Sequence, residues 1–127
     1  MASVPAARGR VTIVEDDLSL LAALAFALEA DGFAVASFTA GSRLLRSPPP
    51  ADCLVVDFRL PDMDGLTLIS RLRELGPQPR AILITTNPDD RCRRAAAAAG
   101  VPIVEKPLVG GELRQRIDEA MDGARGG

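Results

Sequence analysis

The chain has 127 residues, 47% of them apolar and 25% charged, with a formal net charge of −2, which is enough for one domain around one core and too little for two. It contains no histidine, and this excludes histidine general-base catalysis, Ser-His and Cys-His triads and most zinc sites. No block of basic residues marks a nucleic-acid footprint, no apolar stretch is long enough to span a bilayer, and nothing at the amino end resembles a secretion signal, so a soluble, cytoplasmic protein is expected.

Residues 1–9 read as a flexible leader. Val11 to Val14 form a β-branched run that Glu15-Asp16-Asp17 interrupts. From Leu18 to Ala30 the pattern turns helical, with Leu21, Leu24 and Leu28 at helix spacing and Gly32 just past the end. Phe33 to Phe38 reads as a second strand, and Ala40 to Arg46 as a short helix stopped by Ser47 and the Pro48-Pro49-Pro50 run. The apolar run from Cys53 then ends abruptly in Asp57, with Pro61 four positions on. A continuous apolar run of this kind is a central parallel strand covered on both faces. Its carboxyl end lies at the mouth of the sheet, where open α/β folds bind ligands.

Asp62-Met63-Asp64-Gly65 opens a third helix with Leu68, Ile69, Leu72 and Leu75 on its apolar face, closed by Gly76-Pro77. Ala81 to Ile84 is a fourth strand ending in Thr85-Thr86. Pro88 suits the first position of a fourth helix, with Asn87 as its cap, running through the alanine tract to Gly100. Val101 to Val104 is the fifth strand, where Pro102 suits an edge. Glu112 to Met121 is the last helix, and residues 122–127 read as a flexible tail. Of the two cysteines, Cys53 is a small buried hydrophobe in its strand. Cys92, among Arg91, Arg93 and Arg94, is expected to be an ordinary semi-exposed thiol. Five strand–helix alternations with short connections predict a doubly wound α/β domain over residues 10–121 with a parallel sheet.

In such a fold the loops after strands one, three, four and five converge. They bring together Glu15, Asp16, Asp57, Thr85 and Lys106. Crowded carboxylates call for a hard cation, and an all-oxygen donor set favours Mg2+, with Mn2+ as the alternative. Lys106 supplies a compact positive charge and Thr85 a hydroxyl donor. An aspartate so flanked can accept a phosphoryl group covalently.

These stretches together, Val11-Thr12-Ile13-Val14-Glu15-Asp16-Asp17, Val55 through Gly65, Ile82-Leu83-Ile84-Thr85 and Val104-Glu105-Lys106-Pro107, resemble the receiver domain of two-component response regulators, in that family's order and spacing from residue 10 to about residue 121. The resemblance implies a flavodoxin-like (βα)5 sandwich with strand order 2-1-3-4-5. It implies that Asp57 is the phosphoacceptor, served by a histidine kinase or a histidine phosphotransfer protein. Asp16 matches the direct metal ligand, Glu15 its acidic neighbour acting largely through water, and the backbone carbonyl of Arg59 the third protein ligand. Thr85 and Lys106 match the switch hydroxyl and the phosphate-binding lysine, and the Lys106–Pro107 bond is expected to be cis. Asp17 is expected to cap the first helix. The implied function is a phosphorylation-activated switch acting on a downstream protein, with no turnover of an external substrate, no direct nucleic acid contact and no membrane, in the manner of a single-domain regulator.

Three departures bear on the switch. Ile103 stands where relatives carry an aromatic residue, Thr86 where a small residue is common, and Val109-Gly110-Gly111 gives the last helix no side-chain cap. A haloacid-dehalogenase-type hydrolase, suggested by the aspartate-x-aspartate-glycine of Asp62 to Gly65, is rejected. Leu60 and Pro61 separate this stretch from the strand, and the chain lacks room for the larger core of such enzymes. A phosphorylation-independent binding module is disfavoured because every position of the acidic pocket is filled. A receiver cut from a longer regulator is the remaining reading.

Overall fold

A computed structural model describes residues 8–126; the leader expected over 1–9 lies largely outside them, as does residue 127. Strands β1 (Arg10–Val14), β2 (Ala34–Phe38), β3 (Cys53–Asp57), β4 (Arg80–Thr85) and β5 (Ile103–Glu105) alternate with helices α1 (Leu18–Ala30), α2 (Gly41–Arg46), α3 (Gly65–Glu74), α4 (Asp90–Ala98) and α5 (Glu112–Gly126). The strands form one parallel sheet in the order β2-β1-β3-β4-β5. This is the doubly wound arrangement the sequence predicts.

Alternation along each strand divides the core into two layers. Val11, Ile13, Cys53, Val55, Ile82 and Ile84 face α1 and α5, meeting Leu21, Leu28, Leu113, Ile117 and Met121. Val14, Leu54, Val56, Ala81 and Leu83 face the other way onto Leu44, Leu68, Ile69, Leu72, Cys92 and Ala96. All five residues of β3 are buried. That explains its unbroken apolar character and leaves Asp57 as the one ionisable group at its end.

Capping aspartates set where the helices start. Asp17 accepts from the amides of Ser19 and Leu20 at 3.0 and 3.1 Å, as expected. Asp64 accepts from Thr67 at 2.7 Å, so α3 begins at Gly65 and not at Asp62. Gly65 is obligatory there: a Cβ would stand 2.5 Å from the Asp57 carbonyl oxygen. The closeness draws the start of α3 up to the end of β3.

Other boundaries differ from expectation. Asn87 does not cap α4. Its φ is +45°, a left-handed conformation that cannot lead into a helix, and Asp89 takes over by accepting from Cys92 N at 2.8 Å. The fifth strand starts at Ile103, because the Val101 amide is spent closing α4 against Ala96 O at 2.9 Å and Pro102 has no amide to give. Helix α5 runs on to Gly126, through most of the expected tail. Cys92 is buried, not semi-exposed, and that burial raises its thiol pKa despite the neighbouring Arg93. Burial likewise pushes the Cys53 thiol up to about 12.

Candidate functional site

Every strand end singled out in the sequence arrives at one edge of the sheet. Glu15 directly follows β1, Asp57 and Thr85 end β3 and β4, and Lys106 directly follows β5. Asp16, Asp57, Arg59, Thr85, Thr86, Asn87 and Lys106 line a cavity of about 450 Å³. Glu15 forms the wall behind it, fully buried at 0% exposure, while Asp57 is 5% exposed and Asp16 lies open to solvent.

Lysine 106 sits among these carboxylates. Its Nζ is 2.8 Å from Glu15 Oε1 and 3.4 Å from Asp57 Oδ1. Burial alone would favour the neutral amine, but the close ion pair with Glu15 and the charge of Asp57 outweigh it, and the lysine pKa is raised. Glu15 shifts upward too, chiefly because burial disfavours its charge, with Lys106 opposing. Its Oε2 accepts from the Asp17 amide at 3.1 Å. Its Oε1 has no aligned hydrogen-bond donor among the described residues, despite the nearby ammonium.

One carboxylate oxygen each from Glu15, Asp16 and Asp57 lies within 4.8 Å of the other two. Three acids meet one lysine in the pocket, the other cation on its lining, Arg59, being exposed to solvent. An all-oxygen donor set with a buried, under-satisfied carboxylate oxygen fits a hard divalent cation of the magnesium class.

The loops hold these groups by main-chain bonds. Lys106 N donates to Thr85 O at 2.8 Å, tying the end of β4 to the lysine, and the Lys106–Pro107 bond is cis, as the sequence resemblance implies. Phe58 N donates to Ile84 O at 2.9 Å, and Gly65 N to Phe58 O at 2.7 Å. Thr85 is buried, whereas Thr86 and Asn87 form an exposed rim. Ile103 lies away from the cavity, half-buried against the second core layer. Asn87 is the pocket-lining residue that sequence reasoning missed by giving it a capping role. Its position directly after Thr85-Thr86 at a strand end was the available signal.

Comparison with known proteins agrees with this geometry. Residues 11–118 match the family model described as the response regulator receiver domain. The chain is 33% identical over 112 residues to the transcriptional regulatory protein PrrA of Mycobacterium tuberculosis, an alignment covering 85% of this chain and 48% of PrrA. It is 30% identical over 118 residues to the transcriptional regulatory protein FixJ of Bradyrhizobium diazoefficiens, covering 90% and 57%. The chain thus spans about half the length of these relatives. Among solved structures it is similar to the BeF3-activated receiver domain of DrrB, with TM-score 0.80, 26% identity and coverage of 90% and 97%. A CheY-like receiver domain protein from Methanospirillum hungatei shares the fold at TM-score 0.83, 24% identity and coverage of 91% and 95%.

Proposed function

This chain belongs to the response regulator receiver domain family, and from that footing we propose that it is a switch in which Asp57 accepts a phosphoryl group from a phosphohistidine. The observation that carries the reading is the convergence on Asp57. It is a nearly buried carboxylate with Lys106 Nζ at 3.4 Å and two further acids within reach of one cation. Asp57 needs no general base, because an ionised carboxylate is already the nucleophile.

A carboxylate oxygen of Asp57 forms the new P–O bond as the donor's P–N bond breaks, the bonding pair staying with the imidazole nitrogen, which is reprotonated from solvent. Glu15, Asp16, Asp57 and the Arg59 carbonyl are the groups that would hold Mg2+, with Mn2+ as an alternative, and the ion when bound neutralises phosphoryl charge. Lys106 balances charge on the same oxygens, exchanging its contact with Glu15 for them. The Thr85 hydroxyl donates to another and, with Thr86, carries the change into the loop before α4. Thr86, on the exposed rim of the cavity, narrows access to Asp57. The chemistry ends in phosphorylation and later hydrolysis of Asp57 itself, without turnover of an external substrate.

The phosphodonor is a histidine kinase or histidine phosphotransfer protein, and this puts the site of action in the cytoplasm. The apolar face of α1 supports a protein donor: Leu18 and Phe26 are 69% and 77% exposed, and Leu18 directly follows Asp16-Asp17 at the pocket. Output goes to a protein partner, not to nucleic acid or membrane; no helix among the described residues is long and apolar enough to cross a bilayer. The test is phosphorylation by acetyl phosphate, followed by mass spectrometry while magnesium is titrated. One phosphoryl group per chain is expected only with the ion present, and Asp16→Ala should raise the magnesium requirement. An unchanged requirement in that variant contradicts the assignment.

A further inference from the structure

The Asp62-Met63-Asp64-Gly65 stretch, which imitates a hydrolase signature in sequence, has another use in the fold. Asp64 caps its own helix, but Asp62 does not. Asp62 Oδ1 accepts from Gly41 N at 3.1 Å and its Oδ2 from Ser42 N at 2.8 Å. These are the first two residues of α2, and the residue in the capping position, Ala40, has no side chain that can do the work. Asp62 therefore supplies from a distant loop the acceptor that α2 lacks locally. Its carboxyl is held below the ordinary range, chiefly by its side-chain hydrogen bond with Ser42. Met63 reinforces the contact. A Cβ on Gly41 would stand 2.8 Å from the Met63 sulfur, so the two segments touch as closely as glycine allows.

Only Phe58, Arg59, Leu60 and Pro61 separate Asp57 from Asp62. That short loop is fastened at its start by the Phe58 bonds to Ile84 and Gly65, in the middle by the antiparallel main-chain β-bridge of Arg59 with Asp64, and at its end by Asp62 on α2. Arg59, between these fastenings, lines the cavity. A backbone carbonyl can serve as a ligand without an ordering cost only if its loop is already fixed.

We propose that Asp62 is a positioning residue for the cation pocket, a latch that straps the loop after Asp57 to the start of α2 and so holds the Arg59 main chain at the cavity. The proposal rests on the reading that Glu15, Asp16, Asp57 and the Arg59 carbonyl hold a divalent ion. Since coupling is reciprocal, an ion in the pocket strengthens the latch as much as the latch strengthens ion binding.

The test is titration of the intact chain with magnesium chloride, followed by amide NMR and hydrogen exchange, for the unsubstituted protein, Asp62→Ala and Asp62→Asn. Groups that orient a metal ligand change affinity by roughly 10–100-fold when removed; Asp62 acts through the loop, so a loss of about tenfold is expected in Asp62→Ala. Asp62→Asn keeps one oxygen acceptor and should recover part of that loss. In the unsubstituted protein, magnesium should slow exchange of the Gly41 and Ser42 amides, a response that a cap of purely local importance would not give. An affinity in Asp62→Ala within about twofold of the unsubstituted protein, far short of that range, overturns the latch. So does exchange at Gly41 and Ser42 that ignores magnesium. Should Asp62→Ala not fold, Asp62→Asn and the exchange measurement decide alone. If the Asp16 and Asp57 amides of the unsubstituted protein do not respond to magnesium, the cation pocket itself is wrong and the latch falls with it. If they respond and Asp62→Ala does not alter the response, only the latch is wrong.

Discussion

Replacing Lys106 with methionine probes the charge balance of the pocket, because it keeps the stem and deletes the ammonium. The lysine stands 2.8 Å from the fully buried Glu15, whose Oε1 has no aligned hydrogen-bond donor among the described residues. Breaking a buried pair costs about 3–5 kcal/mol, and here the lysine side chain is 20% exposed beside an open cavity, so about 2 kcal/mol is the expected loss without divalent ion. For a domain of this size that lowers the melting midpoint by roughly 6–12 °C. Magnesium should narrow the deficit to less than about 1 kcal/mol, since an ion held by the same carboxylates supplies the missing charge and binds only the folded chain. Changing Glu15 to glutamine in the Lys106→Met background should restore about 1–2 kcal/mol, as the two residues are in direct contact. The assay is thermal unfolding by circular dichroism, the chain having no tryptophan or tyrosine for fluorescence. An equal deficit with and without magnesium, or no recovery in the double variant, refutes the reasoning.

The Asp62 cap gives a pH prediction. The folded-state pKa of this carboxyl is depressed below 3.8, so its contribution is complete above that value and lost as pH falls through the lower folded-state pKa. The stability gap to Asp62→Asn, measured by denaturant titration, should be full at neutral pH and close under strong acid. Gly65→Ala would force a Cβ to within 2.5 Å of the Asp57 carbonyl. Denaturant unfolding should show a loss of about 1–3 kcal/mol, with slower labelling by acetyl phosphate. Phe26→Ser should slow phosphotransfer from a histidine kinase while leaving labelling by acetyl phosphate unchanged, because the exposed ring lies outside the cavity. With beryllofluoride, the largest amide shifts outside the pocket should fall on residues 86–99, since α4 is anchored by only two buried residues, Cys92 and Ala96. Shifts centred on Ile103 with α4 silent would contradict that route.

The pocket was legible in the sequence because its members are forced onto one edge by topology. Once strands one, three, four and five are parallel, the residues at their carboxyl ends must meet, and Glu15, Asp57, Thr85 and Lys106 do. Asp17 was equally legible, as a capping acid directly before an apolar helix. The misses share a cause: they depend on contacts that sequence neighbours do not reveal. Asn87 and Asp89 are both good caps by type, and the positive φ at Asn87 decides between them. Asp62 bonds to residues 20 and 21 positions away, so local spacing suggested only a start for its own helix. Cys92 reads as semi-exposed among arginines, but helix periodicity turns it with Ala96 onto the second core layer. The glycines near the end of α5 argued against a helix on propensity, yet the element continues to Gly126.

The most direct test of the central claim is to locate the phosphoryl group. The protein is labelled with acetyl phosphate and magnesium, the acyl phosphate is trapped by borohydride reduction, and the peptides are sequenced by mass spectrometry. A single reduced residue at position 57, absent from Asp57→Asn, is the predicted result. Reduction at any other carboxylate, or labelling of Asp57→Asn to the level of the unsubstituted protein, would contradict it.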